Sequence, residues 1–158
     1  MSLSGIGYDC HRFAPNRRLV LGGVEIPHER GLEGHSDADV LTHAVIDALL
    51  GASGLGDIGE HFPDTDARYR DADSLELLET VLTTVTMAGF EVENVDSTVI
   101  MEAPKLGPHR QEIRERLALV LNLQVGRVNV KATTGEGMGW VGRGEGVAAL
   151  AVASLSSR

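Results

Sequence analysis

Two hydrophobic periods alternate along this 158-residue chain, and their order constrains the fold more than any other feature. Residues 3–13 alternate Ile6, Tyr8 and Cys10 with Gly7, Asp9 and His11, the two-residue period of a strand. Leu19 to Leu21 and Val24 to Ile26 flank Gly22-Gly23, which reads as a short hairpin whose glycines supply positive φ. From about 38 to 51 the period becomes helical, with Val40, Leu41, Ala44, Val45, Ala48 and Leu49 on one face. Ser36 reads as its N-cap with Asp39 three residues on, and Gly51 as its stop. A second helix, about 73–88, opens on Asp73 and Glu76 in the same relation. It turns Leu75, Leu78, Val81, Leu82 and Val85 inward and ends at Gly89.

Glu91 to Met101 reads as a strand. Pro108 opens a third helix to about Asn122, with Ile113, Leu117, Val120 and Leu121 inward. Val128 to Ala132 is another strand, and six glycines from Gly135 to Gly146 punctuate the loop after it. Val147 to Leu155 is Ala-rich, yet Val147, Ala149, Ala151 and Ala153 would line one small-residue face of a strand. Helices and strands interleave with no linker or repeat, so the expectation is a single domain over 1–158. The class is α/β or α+β, one mixed sheet with helices on one face.

Composition removes whole classes of function. A net charge of −9 and a pI near 5.0 oppose a nucleic-acid partner, because phosphate backbones call for Lys/Arg patches. No apolar run approaches the roughly 20 residues that span a bilayer. The first five residues hold neither the basic region nor the apolar core of an export signal. One cysteine, Cys10, forms no internal disulfide, and a cytoplasmic location is expected. An acidic chain that handled a phosphorylated substrate would need bound cations to offset repulsion.

Asp9 and His11 lie on one face of their strand, about 7 Å apart, and Cys10 on the other. A lone D-x-H is a weak signal, more often a surface pair than a metal site. His43 lies at the border of the apolar face of its helix, where a satisfied boundary histidine is the commoner occurrence. Asp47, one turn on, is placed to accept the other imidazole N–H, as carboxylates behind metal-bound histidines do. One Asp and two His would leave zinc an open fourth position, the arrangement of catalytic rather than structural zinc. Spacing does not itself bring His43 to the other two. Glu136, in Lys131-Ala132-Thr133-Thr134-Gly135-Glu136-Gly137, is a second candidate cation ligand beside hydroxyls and amides that suit phosphate. That loop matches no nucleotide-binding fingerprint, and read alone it is a turn with a solvated Glu.

Taken together the motifs resemble the 2-C-methyl-D-erythritol 2,4-cyclodiphosphate synthase family. The matching stretches include Gly7-Tyr8-Asp9-Cys10-His11, Leu21-Gly22-Gly23-Val24, His35-Ser36-Asp37-Ala38-Asp39-Val40, Leu55-Gly56-Asp57-Ile58-Gly59 and Phe62-Pro63-Asp64-Thr65-Asp66. They continue through Ala103-Pro104-Lys105, Asn129 to Thr134, and Gly142-Arg143-Gly144-Glu145-Gly146, in family order over nearly the whole chain. The resemblance implies that Asp9, His11 and His43 hold Zn²⁺ and that Glu136 holds a second divalent ion, Mg²⁺ or Mn²⁺. His35 and Thr134 match positions that stabilise the transition state. Ser36, Asp57, Ile58, Gly59, Phe62, Pro63, Asp64, Thr65 and Asp66 match the methylerythritol-phosphate side of the substrate site. Met101, Ala103, Pro104, Lys105, Leu106, Gly107 and Thr133 match the cytidine side. Ala132, Trp140 and Arg143 complete the binding set.

The fold so implied is a four-stranded mixed sheet with helices on its outer face. Three such sheets face a common axis in a homotrimer, with active sites between subunits and an isoprenoid diphosphate in the central cavity. The implied reaction takes 4-diphosphocytidyl-2-C-methyl-D-erythritol 2-phosphate to the cyclic diphosphate and CMP. Its nucleophile is already an anion, which agrees with a sequence offering no evident Ser–His or Cys–His pair. Two readings compete: a zinc phosphohydrolase, which would yield a linear product, and a non-catalytic trimer that binds isoprenoid diphosphates. Three positions depart from the family pattern. Cys10 replaces an aliphatic residue, Gly135 a polar one, and Trp140 a frequent Phe.

Overall fold

Residues 1–158 are described by a computed structural model. Strand β1 covers Ser2–Ala14, and its odd-numbered residues turn inward while Ser4, Ile6, Tyr8, Cys10 and Arg12 face out. β2 (Leu19–Leu21) and β3 (Val24–Ile26) form the expected separate hairpin, with Gly22 and Gly23 at φ 59° and 75°. β4 is Gly31–Leu32, β5 Phe90–Ile100, β6 Val128–Thr133 and β7 Gly146–Ser157. The main sheet has the order β4-β1-β7-β5-β6, and only β5 and β6 run parallel.

The sheet therefore has five strands, where the resemblance implies four. The fifth is two residues long: Gly31 and Leu32 pair with Ala14 and Phe13 at the end of β1. No periodicity marks so short a run. The α+β class and the mixed sheet stand as read, and β7 is a strand, pairing antiparallel with both β1 and β5.

Helices α1 (Val40–Ser53), α3 (Ser74–Met87) and α4 (Arg110–Leu121) cover one face, with single turns α2 (Ile58–His61) and α5 (Gly139–Gly142) in the loops. Helix α1 does not show one apolar face. It is enclosed by the sheet and α3, so Thr42, His43, Ile46 and Leu50 are buried as well. It runs past Gly51 to Ser53, whose hydroxyl bonds the Leu49 carbonyl, and Gly54 at φ 70° closes it. Its N-cap is Asp39, not Ser36: the Asp39 carboxylate accepts the Thr42 N–H and hydroxyl. The same carboxylate accepts the Gly22 and Gly23 N–H groups, fastening the hairpin to the helix start. Burial raises the Asp39 pKa, the nearby Asp37 charge adds to the rise, and the Thr42 and Gly22 donors oppose it.

Helix α3 starts behind Asp73 as read, but Leu77 takes the buried place assigned to Leu75 and Leu82, which remain half-buried. In α4, likewise, Ala118 is buried and Val120 half-buried. Pro108 occupies a 3-10 turn just before that helix.

Gly5 and Gly7 set the distance between sheet and helix. A Cβ on Gly7 would lie 1.8 Å from the Ala44 carbonyl oxygen, and one on Gly5 2.2 Å from that of Ala48. Val147, Ala149, Ala151 and Ala153 of β7 continue this small-residue surface, and all are buried. Helix α1 thus lies almost directly on the backbone of β1, close enough for a side chain of one to meet a side chain of the other.

Candidate metal centre and its clefts

Asp9 and His11 leave the inner face of β1 where α1 begins, and His43 descends from the first turn of α1 onto them. The Asp9 Oδ2 atom is 2.9 Å from His11 Nε2 and 3.0 Å from His43 Nδ1. The two nitrogens are 3.4 Å apart, and the three donor atoms all lie within 4.8 Å of one another. This is the ligand set read from the sequence.

The far nitrogens decide whether the set fits a cation. His11 Nδ1 is 2.8 Å from the Glu33 carbonyl, which can only accept, so Nδ1 carries the proton and Nε2 offers its lone pair. His43 Nε2 is 2.8 Å from Ser74 Oγ and 3.2 Å from Ser36 Oγ. Asp47 does not hold His43. Its carboxylate accepts the Ile58 N–H at 2.8 Å, because the side chain is turned toward the 55–61 segment. Two neutral imidazoles and one carboxylate converging on a point are the donors zinc prefers.

These groups also pair with one another. Burial would raise the Asp9 pKa, but hydrogen bonds and charge from His11 and His43 prevail and hold it down to about 2. Burial likewise opposes charge on His11, yet the Asp9 hydrogen bond and charge, with the Glu33 carbonyl, raise its pKa. The sequence contains a Ser–His contact after all, but Ser74 is fully buried and its hydroxyl bonds Asp37, so it is no nucleophile.

Asp9, His11 and His43 line a cleft of about 430 Å³. His35, Ser36, Ile58, Gly59, Phe62, Pro63 and Asp64 line it, together with Gly34, Tyr69 and Leu77, which the sequence did not single out. Asp57 is at its edge as the N-cap of α2, and Thr65 is exposed beside it. The Asp66 carbonyl accepts from His35 Nε2 at 3.0 Å, which ties the 62–66 loop to the cleft rim. The Arg68 guanidinium beside the Asp66 carboxylate lowers its pKa.

A second cleft, of about 240 Å³, gathers Met101, Pro104, Lys105, Leu106, Gly107, Ala132, Thr133 and Thr134, with Ala103 in the same loop. It shares no lining residue with the first. Glu136 is exposed at φ 54°, and its N–H bonds Thr134 Oγ1 at 3.1 Å. Glu102 grips this loop through the Gly135 N–H. Lys131 ion-pairs with Asp96 at 2.6 Å and is no free phosphate contact. Trp140 lines a third hollow with Cys10, His11 and Arg12, while Arg143 pairs with Glu145 at 2.8 Å. Within one chain, then, Asp9, His11 and His43 come together with most of the residues expected on the methylerythritol side. Thr134, Glu136 and the cytidine-side residues do not join them.

Fold and site together define a small α+β protein with a candidate three-ligand metal site at the junction of a sheet and its first helix. Residues 3–156 match the model of the YgbB family, and the chain belongs to that family. It is 58% identical over 153 residues to a 2-C-methyl-D-erythritol 2,4-cyclodiphosphate synthase of Salinibacter ruber, spanning 97% of this chain and 98% of the relative. The identity to the synthase of Symbiobacterium thermophilum is 57%, over 99% of both chains. Among solved structures, the bifunctional IspDF of Campylobacter jejuni superposes with a TM-score of 0.97 at 46% identity. The match covers all of this chain and 43% of the larger one. The Plasmodium falciparum IspF complex with CDP superposes with a TM-score of 0.87 at 30% identity, covering 99% of this chain and 97% of the other.

Proposed function

We propose that this chain converts 4-diphosphocytidyl-2-C-methyl-D-erythritol 2-phosphate into 2-C-methyl-D-erythritol 2,4-cyclodiphosphate and CMP. One observation carries the reading: Asp9, His11 and His43 converge, lone pairs inward, at the floor of a cleft in a chain of this family. A 2-phosphate oxygen attacks the β-phosphorus and forms the new P–O bond. The bond from that phosphorus to the bridging oxygen breaks, and CMP leaves with the electron pair. The nucleophile is already an anion, so no residue needs to remove a proton from it.

Asp9, His11 and His43 would hold zinc, and Glu136 a magnesium or manganese ion. When bound, the two cations supply the positive charge that a chain of net −9 lacks. The remaining work belongs to side chains. His35 and Ser36 face the reacting phosphates from the cleft rim, and the Phe62-to-Asp66 loop covers the methylerythritol and keeps water out. In the second cleft Lys105, Thr133 and Thr134 receive the cytidine diphosphate, with Thr134 close to the β-phosphate. Positioning and charge account for the rate, as in other phosphoryl transfers.

The clefts share no residue, and in this reading the first cleft of one subunit faces the second cleft of its neighbour to complete the site. The outer sheet face supports this. Ile6 and Val152 are paired across β1 and β7, as are Tyr8 and Leu150, and all four are exposed apolar side chains. They suit the contact of a homotrimer. Its central cavity, with Arg143 and Trp140 near the mouth, is the place for an isoprenoid diphosphate. No helix is long and apolar enough to cross a membrane, and the chain is assigned to the cytoplasm with its small-molecule substrates.

The test is incubation with the cytidyl substrate, zinc and Mg²⁺ or Mn²⁺. CMP and the cyclic product are expected in equal amounts. Glu136→Ala should lose turnover while retaining zinc. Release of inorganic phosphate, or a linear product, would instead favour a hydrolase.

A further inference from the structure

Behind the candidate metal centre lies a part-buried hydrogen-bond relay through Ser74 and Asp37. Ser74, the first residue of α3, is fully buried, and its Oγ is 2.8 Å from His43 Nε2. Its hydroxyl also contacts Asp37 Oδ1, and its N–H donates to Asp37 Oδ2 at 2.9 Å. The Asp39 N–H donates to Asp37 Oδ1 at 3.0 Å. We infer that Asp37 and Ser74 are positioning residues which fix the tautomer and ring orientation of His43, so that Nδ1 presents its lone pair to zinc.

The direction of the relay follows from counting hydrogens. A carboxylate only accepts, so the single hydroxyl hydrogen of Ser74 is committed to Asp37. Ser74 Oγ can then only accept from His43, and Nε2 must carry the ring proton. A neutral imidazole has one N–H, so with zinc held at the site the Nδ1 lone pair is left for the ion, beside Asp9 Oδ2, which is 3.0 Å away. Ser36 Oγ, at 3.2 Å, is a weaker acceptor for the same N–H. Ser74 is 31 residues from His43 and Asp37 is 37 residues from Ser74, so packing of α3 against α1 builds the relay. Groups behind metal-bound histidines typically alter metal affinity by about 10–100-fold.

The inference rests on the zinc reading of the proposed function, and two variants test it without using catalysis as the readout. Ser74→Ala removes the acceptor and little volume. Asp37→Ala removes both carboxylate oxygens, including the one that takes the Ser74 hydroxyl hydrogen. The hydroxyl is then free to donate to Nε2, which draws the ring proton to Nδ1. Zinc affinity, measured by competition with a chromogenic chelator, should fall about 10-fold or more in each. Thermal unfolding of the metal-free proteins reports that both still fold, and Ser74→Thr, which keeps the hydroxyl, should recover most of the affinity. At saturating zinc kcat should return toward native, because the relay touches no substrate. Tight zinc binding by the native chain and equally tight binding by Ser74→Ala and Asp37→Ala would overturn the inference alone. A native chain that binds no zinc would overturn the metal reading with it.

Discussion

Replacing Gly7 by Ala should damage the metal centre although Gly7 binds nothing. The new Cβ would lie 1.8 Å from the Ala44 carbonyl oxygen and 2.8 Å from the Ala48 nitrogen, against an ordinary contact of 3.4 Å or more. Backbone lies on both sides, so α1 must retreat from β1 by about 1.6 Å. His43 precedes Ala44, and Asp9 follows Gly7 by two residues. The retreat therefore acts on the 3.0 Å separation of His43 Nδ1 and Asp9 Oδ2, stretching it to as much as about 4.6 Å. A zinc ion with bonds of about 2.1 Å spans at most about 4.2 Å between two ligands, and about 3.4 Å in tetrahedral geometry. The site should lose one of its three ligands.

Overpacking costs about 1–3 kcal/mol, and a clash of backbone on backbone belongs at the upper end. For a chain of this size that lowers Tm by about 6–12 °C. Zinc affinity should drop by at least about 100-fold, more than the loss of a supporting group. Gly5→Ala is the control. Its Cβ would meet Ala48 O at 2.2 Å and Ala52 N at 2.3 Å, one helical turn further from His43. It should lower Tm similarly and disturb zinc much less. Calorimetry of the metal-free proteins and chelator competition provide both readouts. A Gly7→Ala chain that melts with the native protein and binds zinc equally would refute the claim that this close approach sets the ligand distance.

Two further outcomes follow from the same geometry. Asp9 has its pKa depressed to about 2, so its contribution, about 2 kcal/mol, is present above the ordinary carboxylate range and fades as pH falls through about 2. The His11 pKa is raised, so its share is complete below pH 6.5 and fades as pH rises through the raised value. Melting curves of the metal-free protein against Asp9→Asn should show the native advantage greatest between about pH 4 and 6.5. Stabilisation by added zinc should grow above that window, because His11 must release its proton, and an advantage that rises with pH in both states would sink the argument. On the outer face, Leu150→Glu or Val152→Glu should leave the isolated fold within about 0.5 kcal/mol and, for the proposed trimer, shift sedimentation from three chains to one. A variant that remains trimeric would remove that face from the contact.

What was legible in the sequence follows the reach of each interaction. The alternation along β1 is local, so Asp9 and His11 are placed on one face from spacing alone. His43 could be set only at the edge of a helix face, and its meeting with β1 depends on glycines that permit contact without themselves marking a site. The helix start was misread because Ser36 and Asp39 are both good caps. The three-dimensional path turns Ser36 toward His43 and leaves Asp39 to hold the hairpin and the helix at once. Asp47 was assigned to His43 by helical spacing, yet its partner is an amide in the loop after the helix. Ser74 and Asp37 carry no local signal at all, since their meaning comes from two helices packing. The two-residue β4 is invisible for a different reason: it is too short to have a period.

Strand β1 keeps two separate accounts in one stretch of chain. Gly5, Gly7, Asp9 and His11 serve the interior, while Ile6, Tyr8 and Cys10 face outward. A point change on one side leaves the other side's chemistry where it was. A one-residue insertion or deletion has no such privacy, because a slip in register exchanges the faces. It would turn Tyr8 or Cys10 toward the helix in place of the ligands and send glycines to the surface. Register is what this strand must conserve, so the tolerance of its outward positions to substitution should far exceed its tolerance to a shift in reading along the ladder.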